Sequence, residues 1–286
     1  MIKLKKIKLI NFCGYKNFEL DLSKEWLVLF GTNGCGKSNF LEAVALLSYP
    51  WTIASREDTT MFFRRLTYHL DYQPGLEGFD KNKNEMLIEG IFSTDNGDKK
   101  VVIRNNWIPE ESGVIINDLD ISTPIADIID ADNLMNMQFF QLKSQYREKF
   151  LDFAEAIYGF KCDIPNLPQN IVQEYDDDED EYLCFYTDFV ITKFNNTRVH
   201  FKRMSAGEKK IATMLRILFN RCYGKNNILL IDNIEQHIYF KRHMKLIEKM
   251  KEYFSNSQII ATTHSPVIIN EIDKTYLLDL ESQLNG

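Results

Sequence analysis

The stretch GTNGCGKS at residues 31–38 constrains the fold of this chain more than any other feature. It has the spacing GxxxxGK[ST], follows the apolar run WLVLF and precedes the apolar-periodic segment SNFLEAVALLSY. A phosphate-binding loop needs this strand–loop–helix context, because its glycines let backbone N–H groups turn toward an anion and the helix aims its positive end at it. The sequence therefore predicts a nucleotide-binding α/β fold.

Two side chains of this loop add a positive charge and a metal ligand to the backbone N–H groups. Lys37 provides a point charge for the β- and γ-phosphates, and the Ser38 hydroxyl is suited to ligate Mg²⁺. We therefore expect ATP and Mg²⁺ as ligands. The predicted nucleotide contacts are Gly31, Thr32, Asn33, Gly34, Cys35, Gly36, Lys37, Ser38 and Asn39.

A second signal is ILLIDNIEQ at residues 228–236. Its apolar residues predict a buried strand that delivers Asp232 to Mg²⁺. A second acid should follow, but Asn233 stands there, and an amide binds water without acting as a base. Glu235 can replace that acid only if the turn brings it to the γ-phosphate. Loss of a general base lowers a rate by roughly 10²–10⁴-fold, so we expect slow hydrolysis.

Two further motifs are ambiguous when each is taken alone. MSAGEKK, residues 204–210, precedes a predicted helix, so Ser205 and Gly207 suit either an anion site or a simple helix cap. IIATTHSP, residues 259–266, places His264 at the end of an apolar strand, where a histidine is more often structural than catalytic.

Taken in order, the four motifs resemble those of ABC-type ATPases, and specifically the branch that includes RecF, the SMC heads and the ATPase halves of phage-defence systems such as OLD and Septu. The segment INFCGYKNFEL before the loop is similar to that branch's N-terminal block. The resemblance covers about residues 1–48 and 183–272, and the middle only in general shape. It implies an α/β ABC ATPase head with a parallel core sheet, an antiparallel β layer and a helical subdomain.

The resemblance also implies a dimer in which the P-loop of one subunit faces the S-x-G-E loop of the other. Ser205, Ala206, Gly207 and Glu208 would then contact ATP held by the opposite subunit, and His264 would sense its γ-phosphate. Closure would depend on the triphosphate. Asn233, Glu235 and His264 are the candidates for catalysis, and Asn233 departs from the acid that the family usually has. Gln138 and Gln141 are candidates for the coupling glutamine, with an ordinary polar helix face as the alternative.

We expect a single ABC-type domain over residues 1–286, made of three parts. These are a P-loop lobe with a β insert (1–125), a helical and acidic insert with a hairpin (126–204), and the signature helix, Walker B strand and His-switch strand (205–286). Three-and-four spacing predicts helix over residues 134–158. EYDDDEDE at 174–181 predicts a solvated loop, and YLCFYTDFVITKF and RVHFKRM predict a hairpin around NNT.

Charge and composition restrict the function classes. The net charge is −7, and seven acids lie in residues 174–181, without which the rest of the chain balances. An acidic balance argues weakly against a nonspecific nucleic-acid binder. There is no run of 18 apolar residues, so we expect no membrane span, and the five scattered cysteines fit a reducing cytoplasm.

Three functions remain open. The first is an ATP-gated switch or scaffold, a homodimer or higher homo-oligomer that works with a separate effector such as a nuclease or toxin, plausibly in phage defence. The effector is expected on another polypeptide because no second catalytic motif is found. The second is a RecF-like ATPase that clamps DNA through KLKKIK and KRHMKLIEKMKE. The third, a transporter subunit, is disfavoured by the N-terminal block and by TTHSP.

Overall fold

A computed structural model of the protein describes residues 2–48, 86–95, 97–105, 114–115, 126–129, 140–165, 171–175, 181–225 and 227–285. The strands in this part are β1 (Lys3–Phe12), β2 (Tyr15–Asp21), β3 (Trp26–Phe30), β4 (Met86–Thr94), β5 (Gly97–Asn105), β6 (Val114–Ile115), β7 (Ala126–Ile129), β8 (Phe140–Lys143), β9 (Lys161–Asp163), β10 (Ile171–Tyr175), β11 (Glu181–Thr187), β12 (Val190–Thr192), β13 (Arg198–His200), β14 (Ile228–Ile231), β15 (Gln258–Thr262) and β16 (Leu277–Asp279).

The α-helices described are α1 (Lys37–Ser48), α2 (Arg147–Tyr158), α3 (Ala206–Ile217), α4 (His243–Tyr253), α5 (Pro266–Glu271) and α6 (Leu280–Asn285). Short 3₁₀ turns occupy Ser144–Tyr146, Phe201–Arg203, Phe240–Arg242 and Lys274–Tyr276, and a π-helical segment at Leu218–Cys222 extends α3. Across the described ranges, none of these helices combines the length and the apolar character needed to cross a bilayer.

A parallel sheet with the strand order β16-β3-β15-β14-β7 forms the centre of the fold. Strands β3 (WLVLF) and β14 (ILLI) are apolar along their whole length, as is typical of strands covered on both faces. Successive side chains point to opposite faces, so Trp26 and Val28 join one hydrophobic cluster while Leu27 and Leu29 join the other. The strands β14 and β15 divide their residues between the same two clusters.

Each face of the parallel sheet is covered by a different layer. One cluster contains residues of α1 and of strands β1, β2, β4 and β5 from the antiparallel sheet β2-β1-β4-β5-β6, and the other contains residues of α2, α3 and α4. Phe40 and Val44 of α1 are fully buried on the first side, and Phe153 and Leu215 are fully buried on the second. The expected architecture of parallel core, antiparallel layer and helical subdomain is confirmed.

A buried amide joins the antiparallel layer to the core. Gln258, at the start of β15, accepts a hydrogen bond from the Leu4 backbone N–H (2.7 Å) and donates to the carbonyls of Leu4 (3.0 Å) and Leu22 (2.6 Å). The side chain is 1% exposed, so an unpaired amide here would carry the full cost of desolvation. This contact fixes β1, and with it the turn that approaches the P-loop, against the sheet.

The helix predicted over residues 134–158 is wrong over residues 140–146, and residues 134–139 lie outside the described part. Residues 140–143 form β8, which pairs with β11, and α2 begins only at Arg147. Pairing with a distant strand overrides the local helical spacing of the apolar residues. In a run this short, the spacing alone does not distinguish a strand from a helix. Gln141 therefore lies in a strand and not on a helix face, and Gln138 lies outside the described residues.

The hairpin predicted from YLCFYTDFVITKF is also corrected, because its first strand is two strands. Here β11 joins the sheet β10-β11-β8, whereas β12 joins the sheet β13-β12-β9. Asp188 stands at the break, where its carboxylate accepts a hydrogen bond from the Phe201 N–H (3.1 Å) and contacts His200. The turn between β12 and β13 is as predicted.

The acidic run is not a loop at its two ends. Glu174 and Tyr175 close β10, Glu181 opens β11, and Tyr175 pairs with Glu181 across the two strands. Strand pairing uses backbone groups, so it is compatible with charged side chains at these positions. The acidic composition of the segment therefore does not reveal the pairing. Residues 176–180 lie outside the described part.

Candidate functional site

The P-loop wraps around the ammonium group of Lys37. Its Nζ donates hydrogen bonds to the carbonyls of Gly31 (3.0 Å) and Thr32 (2.9 Å), and the side chain is 5% exposed. Gly36 adopts φ +100°, a conformation that side chains disfavour, and a Cβ there would lie 3.0 Å from the Tyr15 hydroxyl. The loop conformation therefore depends on glycine and is centred on a buried positive charge.

Tyr15 packs against the P-loop and holds its backbone, a role that the sequence did not suggest. Its hydroxyl donates to the Gly36 carbonyl (2.8 Å), and burial raises the pKa of the phenol, so it remains a donor. The ring is 1% exposed and packs edge-on against Phe18. In the sequence, Tyr15 stood out only as part of the segment that resembles the family's N-terminal block.

Asn39 and Thr32, which were predicted to contact the nucleotide, form hydrogen bonds with other segments of the chain. The Asn39 amide donates to the Cys13 carbonyl (3.3 Å), which anchors the start of α1 to the β1–β2 turn. The Thr32 hydroxyl donates to the Glu281 carboxylate (2.8 Å) on α6. Glu281 lies in no recognisable sequence motif. Its position beside the P-loop could not be predicted from the sequence, because it depends on the tertiary fold.

Ser38 and Asp232 meet beside Lys37, as the sequence predicts. The Ser38 hydroxyl donates to Asp232 Oδ2 (2.8 Å), and the Thr262 hydroxyl donates to Asp232 Oδ1 (2.5 Å). A hydroxyl next to a carboxylate matches the hard oxygen donors that Mg²⁺ prefers. Among the described residues, no group of three or more His, Cys, Asp or Glu side chains is placed to hold a metal ion.

Asn233 occupies a left-handed turn immediately after Asp232. Its φ is +50°, and its backbone N–H donates to the Thr262 hydroxyl (2.8 Å). Asparagine adopts this conformation more readily than most residues do. The backbone therefore gives a local reason for asparagine at this position, in addition to any effect on hydrolysis.

Glu235 lies against the loop that carries His264. Its Oε2 accepts a hydrogen bond from the Thr263 hydroxyl (2.7 Å), and its Oε1 accepts one from the His264 backbone N–H (2.7 Å). The imidazole of His264 is itself exposed. The structure thus places Asp232, Asn233, Glu235 and His264 in two adjoining loops at the carboxyl ends of β14 and β15.

Ser205 and Glu208 form a capping box at the start of α3. The Ser205 hydroxyl accepts from the Glu208 N–H (3.3 Å), and Glu208 Oε2 accepts from the Ser205 N–H (2.9 Å). Burial alone would raise the pKa of Glu208, but the Ser205 hydrogen bonds and Lys193, 3.1 Å away, lower it. Glu208 is thereby held ionised as part of the cap.

The predicted site residues thus fall into two groups. The first group lies in the P-loop with the start of α1 and in the loops after β14 and β15; it consists of residues 31–39, 232–235 and 264. The second group lies at the start of α3 and consists of Ser205, Ala206, Gly207 and Glu208. The helices α1 and α3 belong to the clusters on opposite faces of the parallel sheet. A methyl group on Gly207 would meet no atom closer than 3.5 Å, at His237.

Comparison with known proteins places these motifs in a family. The family model described as "RecF/RecN/SMC N terminal domain" matches residues 3–284. The Septu protein PtuA of Bacillus mycoides is 21% identical over 92% of this chain, and the replication and repair protein RecF of Clostridioides difficile is 33% identical over 38% of it. The chain spans 38% and 27% of the lengths of these two relatives, which is less than half of either protein.

A solved structure shows the same fold. An SMC head bound to the C-terminal winged-helix domain of ScpA superposes with a TM-score of 0.60 over 95% of this chain and 92% of that one, at 16% identity. At this identity the likeness establishes the fold alone.

Proposed function

The chain belongs to the RecF/RecN/SMC N-terminal domain family, as an ATPase of the SMC/RecF-like kind, and on that premise we propose that it is a slow, ATP-gated dimeric switch acting with a separate effector. The contact between Ser38 and Asp232 beside the buried Lys37 carries the proposal. Those three side chains come from the P-loop and from β14, and they have the chemistry that a magnesium–phosphate group requires.

Lys37 is the main phosphate ligand in this proposal. Its ammonium contacts two carbonyls of its own loop, and a phosphate oxygen is a stronger acceptor for the same donor because it is charged. Ser38 and Asp232 hold Mg²⁺, which when bound neutralises charge on the phosphates. Thr262 orients the Asp232 carboxylate through its second oxygen.

The second half of the site comes from another copy of the chain in this proposal. The signature residues Ser205 and Gly207 begin α3, which packs on the face of the sheet opposite to α1. The first turn of a helix attracts anions through its N–H groups, so this end of α3 suits the γ-phosphate held by a partner P-loop. A homodimer, or a larger assembly that repeats the same contact, would bury ATP between copies.

Slow hydrolysis is proposed from Asn233. An amide orients water but does not accept its proton, so the closed dimer would persist longer than with an acid at this position. A long-lived ATP state suits a latch that reports the presence of ATP or of a trigger.

The proposed setting is phage defence in the cytoplasm. Support comes from the match to a Septu protein over 92% of this chain. A solved SMC head with a bound ScpA domain is an example of a head of this fold that holds a separate protein. We propose a nuclease or toxin as the separate effector.

A RecF-like DNA-clamping role is the second candidate, favoured by the 33% identity to RecF. The basic N-terminal stretch supports it poorly. Lys3 pairs with Glu25 (2.8 Å), Lys5 pairs with Asp98 (2.7 Å), and Lys6 pairs with Glu19. Paired lysines release fewer counterions on contact with phosphate, so they add little to DNA affinity.

Sedimentation velocity with MgATP, MgADP and no nucleotide tests the proposal. We expect MgATP alone to shift the chain to a dimer or larger species, and we expect Lys37→Ala to abolish the shift. A chain that neither binds ATP nor associates would contradict the switch. A parallel titration with duplex DNA at low salt separates the candidates, because ATP-stimulated binding would favour the DNA clamp.

A further inference from the structure

Side chains join the loop after β14 (residues 232–238) to the segment between the end of β15 and the start of α5 (residues 262–265). From these contacts we propose that Glu235 is a positioning residue for His264 and not the group that activates water. This inference rests on the proposed ATPase function, in which His264 senses the γ-phosphate. Glu235 is the one acid near Asp232 in the sequence that could replace the acid missing at 233, so its role decides how hydrolysis is organised.

The carboxylate of Glu235 bonds the His264 loop through both of its oxygens. Oε2 accepts from the Thr263 hydroxyl (2.7 Å), and Oε1 accepts from the His264 N–H (2.7 Å). Thr263 is fully buried, and its hydroxyl also accepts from the Ser265 N–H (3.0 Å). Glu235 therefore fixes the backbone on both sides of the His264 side chain.

A buried histidine braces the same loop from its far end. His243, 6% exposed, lies 2.6 Å from the Ser265 hydroxyl through Nδ1 and 2.9 Å from the Ile238 carbonyl through Nε2. Because a carbonyl only accepts, Nε2 carries the proton, and Nδ1 accepts from Ser265 in the neutral ring. Ile238 ends the loop after β14, so this brace joins the same two loops as Glu235 does.

His264 is the exposed residue between these anchors. Thr262, Thr263 and Ser265 are between 0% and 3% exposed, and each bonds through its hydroxyl. Only the His264 imidazole in this segment faces outward. Because the loop is fixed at every neighbouring position, only the side chain of His264 has to be ordered on binding, which lowers the entropic cost.

A water-activating acid would have a different environment. Such a base is held with an oxygen directed at the substrate side, whereas each Glu235 oxygen is directed at a donor of its own chain and has only its remaining lone pair for other groups. The contacts of Glu235 match a group that orients another residue.

The preference of the chain for ATP over ADP, measured as the ratio of the two dissociation constants, tests the proposal without requiring turnover. We expect Glu235→Ala to lower this ratio about tenfold, the loss expected for a hydrogen bond to a charged group. His264→Ala should lower it to the same extent, and the double variant should be no worse than either single one, because coupled residues are non-additive. Glu271→Ala, which removes an exposed carboxylate at the end of α5, is the matched control.

Glu235→Gln separates positioning from base catalysis. Its carbonyl can accept from the His264 N–H and its amide can donate to Thr263, so it should restore most of the ATP preference and hydrolysis that alanine loses. If Glu235→Ala does not fold, Thr263→Val removes one of the two bonds in its place. Hydrolysis equally impaired in the Gln and Ala variants, with an unchanged ATP preference in both, would overturn the positioning role alone. A native chain that binds neither nucleotide would instead contradict the ATPase function itself.

Discussion

The proposed site has a P-loop half (Lys37, Ser38 and Asp232) and a signature half (residues 205–208). The two halves differ in where their polar groups find hydrogen-bond partners. Lys37, Ser38 and Asp232 come from two distant parts of the sequence, and hydrogen bonds join them to the loop or to each other. Ser205 and Glu208 lie three residues apart and bond one another within a single helical turn. The first half is assembled by the tertiary fold, whereas the second is an ordinary helix start that is complete without any ligand.

In the proposed dimer, one copy of the chain supplies one half of each site, and this difference is consistent with that division. The P-loop half has a buried positive charge and an oxygen pair ready for a cation. The signature half lies in the layer on the other face of the sheet, and in our proposal it contributes to binding when a second chain brings its P-loop to it. The two halves should therefore respond differently to substitution, the first in nucleotide affinity and the second in association.

The largest effect is expected from Lys37→Ala. Removing a charge that contacts phosphate should weaken ATP binding by about 10²- to 10³-fold, in line with the truncation of one partner of a desolvated charge pair. Isothermal titration with a nonhydrolysable ATP analogue measures this. Lys16→Ala removes the same charge from an exposed position of β2 and should leave the affinity unchanged; equal losses in the two variants would contradict the site.

Asn233→Glu should have the next largest effect, on hydrolysis and not on binding. A carboxylate at this position should raise the turnover rate by up to about 10²-fold, at the lower end of what a general base contributes. The positive φ of Asn233 should make the variant about 1 kcal/mol less stable, because glutamate tolerates that backbone poorly. Asn233→Gly suits the same backbone and removes the amide without adding a base, so a rate increase in this control would show that loss of the amide, and not the added acid, was responsible.

Gly207→Ala should affect only the signature half. Alanine favours helix over glycine by about 1 kcal/mol, and the nearest atom to the added methyl group lies 3.5 Å away, so the melting temperature should rise or stay constant. ATP affinity of the isolated chain should also persist. ATP-driven association should weaken about tenfold, because the methyl group would meet the partner's nucleotide. Undiminished association would place the interface elsewhere.

The smallest effect concerns the helical layer that carries the signature half. Lys249 and Tyr253 on α4 donate to Asp152 on α2, and Lys249 in particular lowers the pKa of that carboxyl. A lowered carboxyl pKa gives stability that is present above the ordinary value of 3.8 and is lost as the pH falls through the folded value. Asp152→Asn should cost under about 1 kcal/mol at pH 7, since the Asp152 side chain is half-exposed and its charge is screened by water.

Urea unfolding of native and Asp152→Asn chains from about pH 5 to about pH 3 checks the direction of this effect. The stability difference should shrink as the pH falls. Glu252→Gln removes the other acid that pairs with Lys249, but within α4, so it should not change the contact between the helices. A difference that grows in acid would contradict the assigned shift.

Local patterns in the sequence predicted the P-loop, the Asp232 strand and the parallel core. Spacing within ten residues defines each of these motifs, and apolar strands that are buried on both faces have few alternatives. The strand β8 and the break at Asp188 were missed because they depend on pairing with segments far away in the chain. The supporting roles of Tyr15 and Glu281, and the contacts of Glu235, depend likewise on side chains that only the tertiary fold brings together.

Mixing two impaired variants tests the composite site most directly. Lys37→Ala retains a native signature half and Gly207→Ala retains a native P-loop half, so a mixed dimer contains one site with both halves intact. We predict that an equimolar mixture hydrolyses ATP faster than the average of the two variants, up to about a quarter of the native rate for random pairing in a symmetric dimer. A mixture that shows only the average of its components would contradict the shared site.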